Sequence, residues 1–194
     1  MSRSADIDRE TTEVTITGRL ELDGSGASEV KSGLGFLDHM LTTLARHGRF
    51  DLSLVASGDT TVDDHHTVED CAIVLGRALD QALGDRSGIT RFGYAYAPLD
   101  ESLSRAVIDL SGRPWPEISI DFSRDTVGEV ATENIVHFLR SFAMEGRMAL
   151  HVDVIRGDND HHKAESAFKA MAMALRTAVS ISGSGVPSTK GTLT

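Results

Sequence analysis

His65-His66-Thr67-Val68-Glu69 and His161-His162-Lys163-Ala164-Glu165 are one five-residue pattern written twice, 96 residues apart. Each opens an apolar run at helical spacing, the first continuing through Ile73, Val74, Leu75, Ala78, Leu79 and Leu83 to Gly84. Asp63-Asp64 and Asn159-Asp160 precede the two runs and read as N-caps, with a further capacity to orient a nearby imidazole. Working outward, the same offset of 96 pairs Ala78 and Leu79 with Ala174 and Leu175. An offset of 98 pairs His39, Leu41, Ala45, Gly48, Arg49 and Leu52 with His137, Leu139, Ala143, Gly146, Arg147 and Leu150. A two-residue difference in the intervening turn reconciles the offsets, so the chain reads as two copies of a strand-helix-strand-helix unit.

The segments between fit that unit. Residues 12–22 alternate apolar and polar in the period of a half-buried strand and end at the turn Asp23-Gly24-Ser25-Gly26. Phe36, Leu37, Met40, Leu41, Leu44 and Ala45 fall on one helix face, and Gly48 supplies its stop. A strand is expected over 50–56, and further strands near 94–97, 104–110 and 117–122 open the second copy. The expectation is an α/β chain, one compact domain over 1–194, with half-domains at about 7–90 and 91–185 and a tail at 186–194.

Composition narrows the function classes. With 194 residues, 40% hydrophobic, the chain can bury a sizeable core, and no stretch is long enough to span a bilayer. Met1 to Glu10 holds no apolar signal region, so a cytoplasmic location is expected, with no membrane partner. A formal net charge of -10 repels a phosphate backbone, so no nucleic-acid partner is expected. The single cysteine, Cys71, lies in an apolar helical run and reads as a small buried side chain. Any metal would therefore be held by histidine and carboxylate.

Eight histidines occur, and six stand at equivalent places of the repeat: His39 and His137, His65 and His161, His66 and His162. One histidine on an apolar face reads as a core residue; six in register read as ligands. Imidazole and carboxylate are donors for Mn, Fe or Zn, and His66 with Glu69, or His161 with Glu165, share a helix face. Adjacent histidines on a helix diverge by about 100°, so each pair can serve two ions.

Gly35-Phe36-Leu37-Asp38-His39-Met40, Asp63-Asp64-His65-His66-Thr67-Val68-Glu69-Asp70, Leu110-Ser111-Gly112-Arg113-Pro114, Asn159-Asp160-His161-His162, Phe168-Lys169-Ala170 and Pro187-Ser188-Thr189-Lys190-Gly191 together resemble the imidazoleglycerol-phosphate dehydratases of histidine biosynthesis, from about Arg9 to the C-terminus. Ala72, Val14 and Trp115 depart from the family pattern, and none is a ligand position.

The resemblance implies two duplicated half-domains, each a mixed four-stranded sheet backed by two helices. It implies two divalent ions per active site, manganese in the family, and a homo-oligomer of about two dozen (24) subunits with sites between chains. The metal ligands carried over are His39, His65, His66, Glu69, His137, His161, His162 and Glu165. One ion would take His39, His66, Glu69 and His162, and the other His65, His137, His161 and Glu165. The substrate implied is a small phosphorylated imidazole, imidazoleglycerol phosphate, which loses water to give imidazole-acetol phosphate. Arg91, Arg113, Ser188, Thr189 and Lys190 match phosphate-binding positions, and His47, outside the repeat because its counterpart is Glu145, matches a substrate contact. Glu13, in Arg9-Glu10-Thr11-Thr12-Glu13, matches an N-terminal pattern and is outside the ligand set, so it is the candidate base. Glu13, His47, Glu69 and Glu165 form the expected catalytic set, with Glu13, His39, His47, His65, His66 and Glu69 against the substrate. Two rival readings use the same histidines: a dinuclear phosphoester hydrolase, and a metal-storage shell that would not need Arg91, Arg113, Ser188 and Lys190.

Overall fold

In a computed structural model the described residues are 3–189, Gly191 and Leu193. The first half runs β1 (Ser4–Glu10), β2 (Val14–Glu21), β3 (Ser28–Lys31), α1 (Gly35–Gly48), β4 (Asp51–Gly58) and α2 (His65–Leu83). The second runs β5 (Phe92–Leu99), β6 (Ser102–Asp109), β7 (Trp115–Ser119), the short strands β8 (Thr126–Val127) and β9 (Val130–Ala131), α3 (Thr132–Glu145), β10 (Ala149–Arg156) and α4 (Asp160–Val179).

The two sheets have one topology. The first has the order β1-β2-β4-β3 and the second β5-β6-β10-β7. In each, the first three strands pair antiparallel and the last joins in parallel. The duplication reaches local chemistry: Arg49 and Arg147, just past the ends of α1 and α3, both take left-handed backbone, at φ 58° and 49°. The mixed four-stranded half-domain expected from the resemblance is therefore present twice.

Each sheet lays its apolar face on two helices, α1 and α2 on the first and α3 and α4 on the second. The halves then close helix on helix, α1 against α4 and α2 against α3. Leu41, Leu75, Leu79, Phe138, Leu139 and Phe168 are fully buried in that layer, each removing about 1.5–3 kcal/mol of apolar surface from water. Close approach needs small residues: a Cβ on Gly76 of α2 would meet Phe142 O and Gly146 N of the facing helix end at 2.8 Å, and one on Gly93 would meet Ala174 O of α4 at 2.0 Å. Cys71 lies in this layer with its thiol pushed up to about 12 by burial, as a structural cysteine should.

Four elements were not read from the sequence. β1 and β3 are polar edge strands, and β8 and β9 are too short for periodicity. The strand expected to 122 stops at Ser119, where the chain turns toward the β8–β9 hairpin.

Candidate metal centre

The helix pairing places six of the eight expected ligands in two trios. His39 Nε2, at the start of α1, lies 3.0 Å from Glu165 Oε2 of α4, and His161 Nε2 lies 3.1 Å from the same oxygen. His137 Nε2 of α3 lies 2.8 Å from Glu69 Oε1 of α2, and His65 Nε2 lies 3.9 Å from Glu69 Oε2. In each trio the three donor atoms lie within 4.8 Å of one another. The imidazoles face each other in both, with ring centroids 5.5 Å apart for His39 and His161 and 5.0 Å for His65 and His137.

This within-chain grouping differs from the partition that the resemblance implies. Within one chain His65, rather than His66, reaches Glu69, and His39 joins His161 and Glu165. The reason is the helix pairing, α1 on α4 and α2 on α3, together with the roughly 100° step that turns the second histidine of each pair away.

His66 and His162 stand apart, each held by a carboxylate. His66 Nδ1 lies 3.1 Å from Asp59 Oδ2, and His162 Nδ1 lies 2.7 Å from Glu101 Oε2. Those carboxylates raise the proton affinity of both imidazoles above the usual histidine range. An imidazole hydrogen-bonded through Nδ1 offers Nε2 as its donor atom, in a fixed orientation. His65 is held likewise, its Nδ1 2.9 Å from Asn134 Oδ1. Asp59, Glu101 and Asn134 were not singled out in the sequence. Glu101 had a visible signal: it precedes β6 as Glu13 precedes β2, an equivalence that an offset of 88 exposes.

Asp63 and Asn159 behave as caps, accepting from the N–H of His65 at 2.8 Å and of His161 at 2.9 Å. Asp64 and Asp160 do not; they bind Ala131 N and the Ser123–Arg124 backbone. Burial opposes ionisation of Glu165, but hydrogen bonds from Lys169 and His39 outweigh it and hold the carboxyl at about 2. His47, in the last turn of α1, is lowered by burial and then by Lys169, so it is a poorer proton acceptor than a free imidazole. Glu13 sits in the β1–β2 turn, its carboxylate 3.8 Å from His66 Nε2.

The described members of the expected phosphate set lie elsewhere. Arg91 donates to Asp109 through Nε (2.7 Å) and Nη2 (3.0 Å), and through Nη1 to Pro187 O of the tail (2.8 Å). Its N–H donates to Ala178 O, at the C-terminal end of α4. The 20 residues of α4 place that end about 30 Å from the end carrying His161. Ser188 and Thr189 follow Pro187 in this tail, Arg113 lies exposed beyond β6, and Lys190 lies outside the described residues. The trios and Pro187 of the tail therefore lie at opposite ends of α4.

Comparison with known proteins agrees with this architecture. Residues 32–175 match the family model described as imidazoleglycerol-phosphate dehydratase. The chain is 59% identical over 192 residues to a protein of that name from Phytophthora nicotianae, covering 98% of this chain and 42% of that longer one. It is 52% identical over 185 residues to one from Methanothermobacter thermautotrophicus, covering 95% of each. Crystal structures of the dehydratases from Staphylococcus aureus (TM-score 0.82, 36% identity, 92% of this chain and 100% of that one) and Pyrococcus furiosus (0.84, 34%, 96% and 100%) share its fold. With a family model over most of its length and relatives matched end to end, the chain belongs to the imidazoleglycerol-phosphate dehydratase family.

Proposed function

We propose that the chain is a manganese-dependent hydro-lyase that removes water from imidazoleglycerol phosphate to give imidazole-acetol phosphate in histidine biosynthesis. The observation that carries the reading is the pair of trios, His39-His161-Glu165 and His65-His137-Glu69, built by family-matching residues across the two halves. Two imidazoles and one carboxylate, with donor atoms converging inside 4.8 Å, fit a divalent ion of the Mn, Fe or Zn class. Ions bound there would acidify the imidazole of the substrate and polarise its departing hydroxyl.

The chain's own residues do the rest. Lys169 and His39 keep Glu165 ionised, so it remains a carboxylate donor without a proton to lose. Glu13 is outside the expected ligand set and lies 3.8 Å from His66 Nε2, which supports its reading as the base that takes the carbon-bound proton. Burial and then Lys169 lower the proton affinity of His47, which favours a neutral contact to substrate. Ser188, Thr189, Lys190, Arg91 and Arg113 would grip the phosphate through hydroxyl, ammonium and guanidinium donors.

Trios and tail are about 30 Å apart along α4, so one site needs the donors of one chain and the tail of another. His66 and His162, oriented by Asp59 and Glu101 but outside the trios, are then the donors offered to neighbouring chains. The second sheet also exposes Phe92, Tyr94, Tyr96 and Trp115, with Tyr94 74% and Trp115 63% accessible. Aromatic surface exposed at both edges of this sheet supports its reading as an association face. The functional form is a large homo-oligomer, and the reaction belongs in the cytoplasm; among the described residues no helix is long and apolar enough to cross a membrane.

Incubating the manganese-loaded protein with imidazoleglycerol phosphate should yield the ketone with phosphate retained. Release of inorganic phosphate without ketone would instead establish a hydrolase, and absence of both products would leave a storage shell.

A further inference from the structure

The β8–β9 hairpin lies where the N-terminal ends of all four helices converge, and those ends carry the donor trios. Val130 of β9 is buried beside a small interior void that it lines with Phe36 of α1, Val68 of α2, Ile135 of α3 and Phe168 of α4. Polar bonds reach the same ends. Ala131 N donates to Asp64 Oδ2 at the start of α2 (2.8 Å). Ser123 N and Arg124 N donate to Asp160 Oδ2 at the start of α4 (3.0 and 2.8 Å). The chain then enters α3, where Thr132 Oγ1 closes back on Arg124 O at 2.9 Å.

The fourth helix end is joined by a side chain. The residue before α1, Leu34, makes no side-chain cap bond, because leucine has no acceptor. Glu129, 94 residues along the chain, fills the place: its Oε1 accepts the N–H of Gly35 and, at 3.3 Å, of Phe36. A carboxylate there satisfies N–H groups that have no partner within the helix and is favoured by the helix dipole. His39 follows one turn later.

We propose that Glu129 is a positioning residue for the His39-His161-Glu165 trio. It caps α1 from a hairpin that is bonded to the start of α2, runs into α3 and is led into by the segment bonded to the start of α4, and so fixes where His39 stands relative to α4. The proposal rests on the metal reading of the trios. Glu129 touches no donor atom, so it acts by holding the α1 start against α4, where donor atoms must hold position to about 0.5 Å for tight binding.

The test uses the full-length protein stripped of metal and titrated with cobalt(II), whose visible absorption reports coordination. A His137→Ala background lets the His39 trio be read alone. Glu129→Ala should weaken cobalt binding about tenfold or more, as loss of supporting contacts around metal ligands does, and should alter the absorption band. Glu129→Gln keeps an acceptor oxygen and should restore most of both. In metal-free protein the Gly35 and Phe36 amides should exchange faster in Glu129→Ala and remain protected in Glu129→Gln. The side chain is exposed, so its removal leaves the core intact; Glu129→Leu, which keeps the stem, stands in should the alanine variant not fold. Unchanged cobalt affinity and spectrum in Glu129→Ala overturn the proposal, as does a glutamine variant no better than alanine. A parent protein that takes up no cobalt at all would instead sink the metal reading itself.

Discussion

Glu13 and Glu101 hold the same place in the two halves, each the last residue before the second strand of a hairpin, and they have opposite surroundings. Glu101 accepts from Asp158 N (3.2 Å), Asn159 N (2.9 Å) and His162 Nδ1 (2.7 Å), and the backbone bond from Asn159 followed by that from His162 holds its carboxyl at about 2. Glu13 keeps half of its side chain in solvent and approaches His66 Nε2 at 3.8 Å. In the first half Asp59 has taken the imidazole, which releases Glu13 from that duty. One duplicated position has thus become a support in one copy and a candidate base in the other.

Glu13→Gln keeps the shape and loses the basicity. Turnover should fall at least about a hundredfold, the low end of general-base contributions, while manganese content and substrate affinity stay near those of the parent. Steady-state kinetics beside metal analysis reads this; near-parental kcat at full metal occupancy would remove Glu13 as the base.

Glu101→Ala deprives His162 of its Nδ1 partner and frees the backbone ahead of α4. Supporting residues of this kind are worth about 10–100-fold in metal affinity. Less manganese should survive dialysis, and added manganese should recover activity; retention equal to that of the parent would show that His162 needs no such support.

Chelation should break the assembly into small particles that regrow when manganese returns. The ground is the placing of His66 and His162 outside the trios, together with a net charge of -10 that opposes association without cations. Light scattering before and after chelator decides it, and an unchanged particle mass would contradict sites shared between chains.

Lys190→Ala should weaken binding of substrate and of inorganic phosphate without lowering metal content. The sequence match at Pro187-Ser188-Thr189-Lys190 motivates it. One charge-assisted contact is worth about 1.5–3 kcal/mol, roughly ten- to a hundredfold in affinity. Phosphate inhibition identical to that of the parent would rule the lysine out.

Asp51 ties the β2–β3 turn to β4, accepting the N–H groups of Ala27, Ser25 and Gly26 at 2.9, 2.8 and 3.0 Å, which lower its carboxyl below the usual aspartate range. A depressed native pKa stabilises above the unfolded value, near 4, and the benefit disappears as pH falls through the native value. Melting of parent and Asp51→Asn should therefore differ at neutral pH and converge below about pH 4. A gap that stays constant to pH 2 would mean that the charge contributes nothing.

The sequence by itself determined the two copies, because the 96- and 98-residue offsets and the 3.6-residue period are properties of order along the chain. It also located the six histidines of the repeat on helices, since each falls in or at the start of an apolar run of helical period. What it could not supply is which helix meets which. Periodicity says that one face of α1 and one face of α4 are apolar; that they face each other, bringing His39 to Glu165 across 126 residues, depends on the packing of both sheets and all four helices together. The same holds for Glu129 and Glu101, carboxylates in turns with no period to betray them. Their roles follow from helix ends and imidazoles that tertiary contacts carry to them, over 94 residues to Gly35 and 61 to His162.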